Sequence, residues 1–198
     1  MITGSEEESR ALMMNAAIRI VARCGFEGFT TKKWAKEAGV AEGSLYYHFK
    51  SKDDLLTQAF FMIDREVALL FQTDDYNLTT KEGIVFCIEE IWRKFFRFLV
   101  EHEEWALYFQ RFRTSPRYTK EIQEEQYQYF REFSDVVRKL RKVMKTRESV
   151  DPVVLWSFVS DTTTAMAFRV LSGGIEASGD IENQMTLIMM RGLLGVML

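Results

Sequence analysis

Apolar residues recur at three- and four-residue steps along most of the chain, a spacing that predicts helices rather than strands. In the first stretch Met13, Ala16, Ala17, Ile20, Val21 and Cys24 share one face. Ser5-Glu6-Glu7-Glu8 has the form of a capping box, and Gly25 stands where a left-handed C-terminal residue is expected, so a helix is predicted over about 6–24. Thr30 or Thr31 can cap a second helix that starts at Lys32, carries Trp34, Ala35 and Ala38 on one side, and is broken by Gly39. A third, Glu42 to about Phe49, places Leu45 and Phe49 at i and i+4 and leaves Ser44, Tyr46, Tyr47 and His48 on other faces. Ser51-Lys52-Asp53-Asp54 opens a fourth, whose apolar residues continue from Leu55 through Phe71. Five longer helices are predicted beyond it, at roughly 80–101, 103–112, 116–145, 151–172 and 180–197, with Asp151 as a cap and Pro152 at the first helical position. The expected fold is all-α, with about nine helices. A three-helix helix-turn-helix head occupies 1–52, and a larger helical body occupies 53–198.

Composition agrees with this picture and narrows the class. The chain has 198 residues, of which 47% are hydrophobic and 28% charged, so it can bury a substantial core. Eleven Gly and two Pro are too few for the turns of an all-β sandwich. The two cysteines, Cys24 and Cys87, lack the close spacing of a metal or redox motif, and both are expected as small buried side chains in a reducing compartment. The acidic start and the absence of an apolar run near the roughly 20 residues needed to cross a bilayer predict no signal peptide, no membrane partner and a cytoplasmic location at the nucleoid.

Charge is unevenly distributed. The formal net charge is −3, but residues 9–52 alone carry +5 (Arg10, Arg19, Arg23, Lys32, Lys33, Lys36, Lys50 and Lys52 against Glu27, Glu37 and Glu42). Residues 53–198 carry −5. A cationic module on an anionic body still concentrates at a polyanion, because the field near the contact face governs the encounter.

The residues within that module say which polyanion. Gly25-Phe26-Glu27-Gly28-Phe29-Thr30-Thr31, Trp34-Ala35-Lys36-Glu37-Ala38-Gly39-Val40 and Gly43-Ser44-Leu45-Tyr46-Tyr47-His48-Phe49-Lys50-Ser51-Lys52 together resemble the DNA-binding head of the TetR (tetracycline-repressor-like) family, over about residues 9–56. The rest of the chain fits that family only in length and helical character. Each position also has a physical reason of its own. The third helix would read base edges in the major groove, where the donor and acceptor pattern distinguishes base pairs. Gly43 would let the backbone approach DNA closely, and Ser44 is small and can donate or accept. Tyr46, Tyr47 and His48 offer hydroxyl and imidazole groups. Thr31 and Lys32, at the start of the supporting helix, and Lys52, at the start of the next, would meet backbone phosphates. Three positions depart from the family pattern: Trp34 replaces the usual aliphatic residue, Ala41 replaces a capping Ser or Thr, and Glu42 places an anion at the groove. There it either accepts from a cytosine amino group or repels the backbone.

The resemblance implies a homodimer on double-stranded operator DNA, with the last two helices pairing with their copies. The expected interface residues are Val159, Thr163, Met166 and Val170 on one helix and Met185, Ile188, Met189, Gly192 and Val196 on the other. It also implies an effector pocket in the body. The aromatic middle helices suit a small apolar ligand, with Trp92, Phe96, Trp105, Phe109, Tyr127, Phe130, Trp156 and Met166 as candidate walls. The bland alternative is that these rings only fill a core. With two His, no phosphate loop and no metal-ligand spacing, no enzymatic site, metal or cofactor is expected. The function read from the sequence is a DNA-binding transcriptional regulator, a repressor released by a small hydrophobic or aromatic ligand. A helical small-molecule binder with weak DNA affinity and a ligand-independent DNA binder are the alternatives.

Overall fold

The computed structural model describes residues 4–144, 151–176 and 178–194. These form ten helices and no strand among the described residues. In order they are α1 (Gly4–Cys24), α2 (Thr31–Ala38), α3 (Ser44–His48), α4 (Lys52–Leu69), α5 (Lys81–Glu101), α6 (Glu103–Arg113), α7 (Lys120–Tyr129), α8 (Arg131–Met144), α9 (Pro152–Leu171) and α10 (Gly179–Leu194). The all-α expectation holds, and most ends fall within a residue or two of the expected ones.

Local chemistry explains the ends that agree. Gly25 and Gly39 take left-handed φ values of 69° and 70°, which a residue with a Cβ adopts only under strain, and they close α1 and α2. Thr30 accepts from the Lys33 N–H at 3.2 Å, and Ser51 accepts from Asp54 N–H at 3.0 Å. Asp151 accepts from Val153 N–H at 2.7 Å, with Pro152 beginning α9. Three points differ. α1 starts at Gly4, so Ser5 lies in its first turn rather than before it. α3 starts at Ser44 rather than Glu42: with no side-chain oxygen at Ala41, its first turn is closed by backbone bonds alone, from Ser44, Leu45 and Tyr46 N–H to the carbonyls three residues back (3.0–3.3 Å). The single helix expected over 116–145 starts later and divides into α7 and α8 at Phe130, whose N–H turns to Tyr127 O at 3.2 Å. No Gly or Pro marks that break.

The chain packs as two compact units, which do not follow the 52/53 division expected from the motif. One comprises Met1–Arg65 with His102–Lys120, the other Glu66–Glu101 with Glu121–Leu198. The first unit therefore includes α6. Short helices alone bury too little, and α6 completes their core: Phe60 stacks on Phe109 and Phe112 (ring centroids 5.4 and 4.4 Å), Phe26 meets Tyr108 edge-on at 5.9 Å, and the buried Tyr108 hydroxyl donates to Leu56 O at 2.7 Å. Arg111 donates to Val21 O at 2.6 Å, capping the end of α1. Trp34, the departure noted above, is fully buried and donates its indole N–H to Met13 O at 2.9 Å, so the larger ring is packed and satisfied.

In the second unit α5 lies against α8, α9 and α10. Phe71, Phe95, Phe130 and Trp156 form one aromatic cluster, with Phe130 stacked on Trp156 at 3.6 Å. Trp92 donates to Thr163 Oγ1 at 3.0 Å, and that hydroxyl donates to Val159 O at 2.7 Å. The cysteines divide: Cys87 is buried, and burial pushes its thiol up to about 11, whereas Cys24 is exposed, against the expectation that both would be covered. No helix among the described residues is long and apolar enough to cross a membrane.

Candidate nucleic-acid interface

α2 and α3 form the turn that sets the site. Thr30 begins α2 and Gly39 ends it, with Val40 N–H returning to Ala35 O at 2.9 Å. α3 has five residues, too short to persist without packing. Leu45 and Phe49 supply that packing, fully or almost fully buried on one side. The opposite side is open: Tyr46 is 71% exposed and Tyr47 80%. Gly43 and Glu42 are exposed, and Ser44 and His48 are half-buried. His48 meets Tyr47 edge-on at 4.8 Å, and its Nδ1 is enclosed without a hydrogen-bond partner.

Gly43 is informative because nothing inside the protein requires it. Its φ is −64°, in the ordinary right-handed region, and a Cβ built there would meet no atom within 4 Å. The position is open on the outside.

The basic residues divide into two groups. Arg19 and Arg23 both bond Glu37 (2.8 and 2.7 Å), and these bonds hold the Glu37 carboxyl below the usual carboxylate range. Arg10 lies over the Phe49 ring, 4.6 Å from its centre. Lys33 donates to Gly28 O and Lys52 to Phe29 O, each at 3.1 Å, and Lys52 also lies 5.2 Å from the Phe29 ring. Lys52, expected at a phosphate, is half-buried and has a partner within the protein. Lys32, Lys36 and Lys50 are exposed and Thr31 is half-exposed. Lys36 and Lys50 were not among the expected contacts; their exposure depends on how α2 and the α3–α4 link turn, which residue type alone does not reveal.

The expected body residues are placed less favourably. Trp92, Phe109, Phe130 and Trp156 are buried against other rings or helices, and Trp105, Tyr127 and Met166 are half-buried. Trp105 and Phe109 belong to the first unit and the other six to the second. A cleft of about 350 Å³ in the second unit is lined by Phe96, Arg97, Val100, Val170, Ile181 and Glu182 among others, and takes in only Phe96 of the eight. Of the expected interface residues, Val159, Thr163, Met185 and Met189 are buried within the chain and correct the expectation of an outward stripe. Met166 and Val170 are half-buried, Ile188 is exposed, and neither the Gly192 surroundings nor Val196 fall within the described residues. The outward apolar side chains of α9 are instead Val153, Val154, Phe158 and Phe168, with the exposed Ala165 between the last two. The spacing of Val154, Phe158, Ala165 and Phe168 is that of a heptad seam, whose position between Phe158 and Ala165 is the exposed, acidic Asp161.

The fold and this turn define a helical protein whose helix-turn-helix presents a short helix with one side outward. Residues 13–59 match the family model described as bacterial regulatory proteins, tetR family. The fatty acid metabolism regulator protein of Bacillus subtilis is 40% identical over 48 residues, covering 24% of this chain and 25% of the relative. An HTH-type transcriptional regulator of Haemophilus influenzae is 30% identical over 90 residues, 46% of each chain. The chain thus aligns with between a quarter and about half of the length of these curated relatives. Solved structures share the whole fold. A TetR family regulator from Marinobacter aquaeolei superposes with a TM-score of 0.78 at 22% identity, covering 92% of this chain and 94% of that one. The regulator FadR from Bacillus subtilis, solved with stearoyl-CoA, gives 0.66 at 17%, covering 92% and 98%. Residues 13–59 thus carry the segment that the tetR family model describes, and the curated relatives that share it are named as regulators.

Proposed function

We propose that the protein is a homodimeric transcriptional repressor that binds operator DNA through α3 and is released by a small apolar effector. The observation that carries the DNA reading is the two-sided character of α3: Leu45 and Phe49 lock one face, while Tyr46 and Tyr47 stand 71% and 80% exposed beside a Gly43 for which the fold has no need. In this reading Ser44, Tyr46, Tyr47 and Glu42 face base edges, with Gly43 at the closest approach. Thr31, Lys32, His48 and Lys52 face phosphates.

One reading helix covers half a site, so two copies are required. The exposed Val154, Phe158 and Phe168 of α9 with Ile188 of α10 are large apolar side chains that water covers poorly, and a second copy of the same surface supplies a matching partner. The effector is assigned to the aromatic body. The FadR neighbour holds stearoyl-CoA, which makes a fatty-acyl thioester the first compound to test. A ligand that prefers the non-binding conformation 100-fold supplies about 2.7 kcal/mol to shift the population. The regulator would act in the cytoplasm, on the chromosome.

The test is selection of duplexes from a random pool by the full chain, followed by mobility shift of the winners against a scrambled duplex across a salt series. A selected duplex bound at least about 1,000-fold better than the scrambled one supports the reading. Equal affinity for both, or none, refutes it.

A further inference from the structure

α3 has no side-chain cap at its N-terminus, and its five residues hold few bonds of their own, so its orientation is fixed from outside. Leu45 and Phe49 fix its depth. What fixes its end is Arg10, ten residues into the chain. The Arg10 guanidinium donates to His48 O, the last carbonyl of α3, and to Gln58 Oε1 on α4, while lying 4.6 Å above the Phe49 ring. Gln58 is itself held, its Nε2 donating to Asp54 Oδ1 at 2.8 Å. The other Asp54 oxygen accepts from Lys50 N–H at 2.8 Å, and Asp54 N–H donates to Ser51 Oγ at 3.0 Å. One connected set of bonds therefore ties α1, the end of α3, the following link and the first turns of α4.

We propose that Arg10 is a positioning residue for base reading: it holds the C-terminal end of α3 in register through His48 O and Gln58, and does not itself touch DNA. Three features support this over a phosphate contact. All the guanidinium's contacts are internal, it is stacked and half-buried, and a cation is favoured at the partial negative charge of a helix C-terminus. Only a planar fork makes both bonds while stacking, so a lysine keeps the charge and loses the geometry. The inference rests on the DNA-binding reading above.

The experiment compares wild type, Arg10→Met, Arg10→Lys and Gln58→Leu on the duplex that wild type selects from a random pool and on a scrambled duplex of equal composition. Affinity is measured across a salt series, well below each variant's melting temperature. The expected result is that Arg10→Met loses about tenfold on the selected duplex and under about twofold on the scrambled one, with an unchanged salt slope. Arg10→Lys does not rescue it. A merely structural role would lower the melting temperature without moving the ratio of the two affinities. Equal losses on both duplexes, a salt slope shallower by about one with rescue by lysine, or an unchanged ratio each overturn the proposal. Should Arg10→Met not fold, Gln58→Leu decides: a loss of about threefold or more confined to the selected duplex supports it, and no loss overturns it. A wild type that selects no duplex sinks the DNA reading itself, and with it this proposal, in a separate arm.

Discussion

Gly43 is a glycine that the fold does not require. Its backbone is ordinary and its surroundings are empty, so an alanine adds a methyl group to open space and removes some freedom from the unfolded chain. Gly43→Ala is expected to leave thermal stability unchanged or slightly raised while weakening specific DNA binding by about tenfold or more, measured by melting and by anisotropy on a selected duplex. Trp34 shows the reverse case. In the sequence it is an odd residue in a family pattern; in the fold its indole is wholly internal and bonded to Met13 O. Residue identity pointed to Tyr46 and Tyr47 as outward-facing because aromatic hydroxyls flanked by a buried Leu and Phe have few structural reasons to stand outward. It did not expose Arg10, since nothing in the order of residues brings position 10 to position 48.

At the scale of elements, the junction of α1 and α2 depends on Glu37, which accepts from Arg19 and Arg23. Hydrogen bonds from Arg19 first and Arg23 second hold its carboxyl below the ordinary range. A group depressed in the folded state adds stability that is present above its unfolded pKa and disappears as the pH falls through the folded value. Glu37→Gln is therefore expected to lower stability by about 0.5–1 kcal/mol at neutral pH, in keeping with a pair this exposed, and to match wild type at pH values below the carboxylate range. Denaturant unfolding at the two pH values measures it; an equal deficit at both contradicts the assignment. Helix positions were legible wherever local chemistry marks an end, as Thr30, Gly39, Ser51 and Asp151-Pro152 do. The break at Phe130 was not, because it comes from a large ring seated on Trp156, a partner far along the chain. The inward turn of Val159, Thr163, Met185 and Met189 was not legible for a related reason. α9 carries apolar residues on both sides, and periodicity alone does not say which side meets α5 and which meets the outside.

At the scale of the molecule, the exposed α9 seam carries the proposed assembly. Phe158 is 54% exposed, so its replacement disturbs the protomer little. Phe158→Glu is expected to convert a dimer to a monomer in sedimentation equilibrium at unchanged helical content, and to reduce operator affinity with it. A dimer that persists would move the interface elsewhere. The central claim, that α3 enters the major groove in two symmetric copies, is tested most directly by dimethyl sulfate probing of a selected duplex, since this reagent marks guanine N7 in the major groove and adenine N3 in the minor groove. The predicted result is two clusters of protected guanines separated by one helical turn or a multiple of it, about 10 base pairs each, with adenine N3 between them still reactive. Protection confined to adenine N3, or a single cluster on a duplex bound by a dimer, would contradict it.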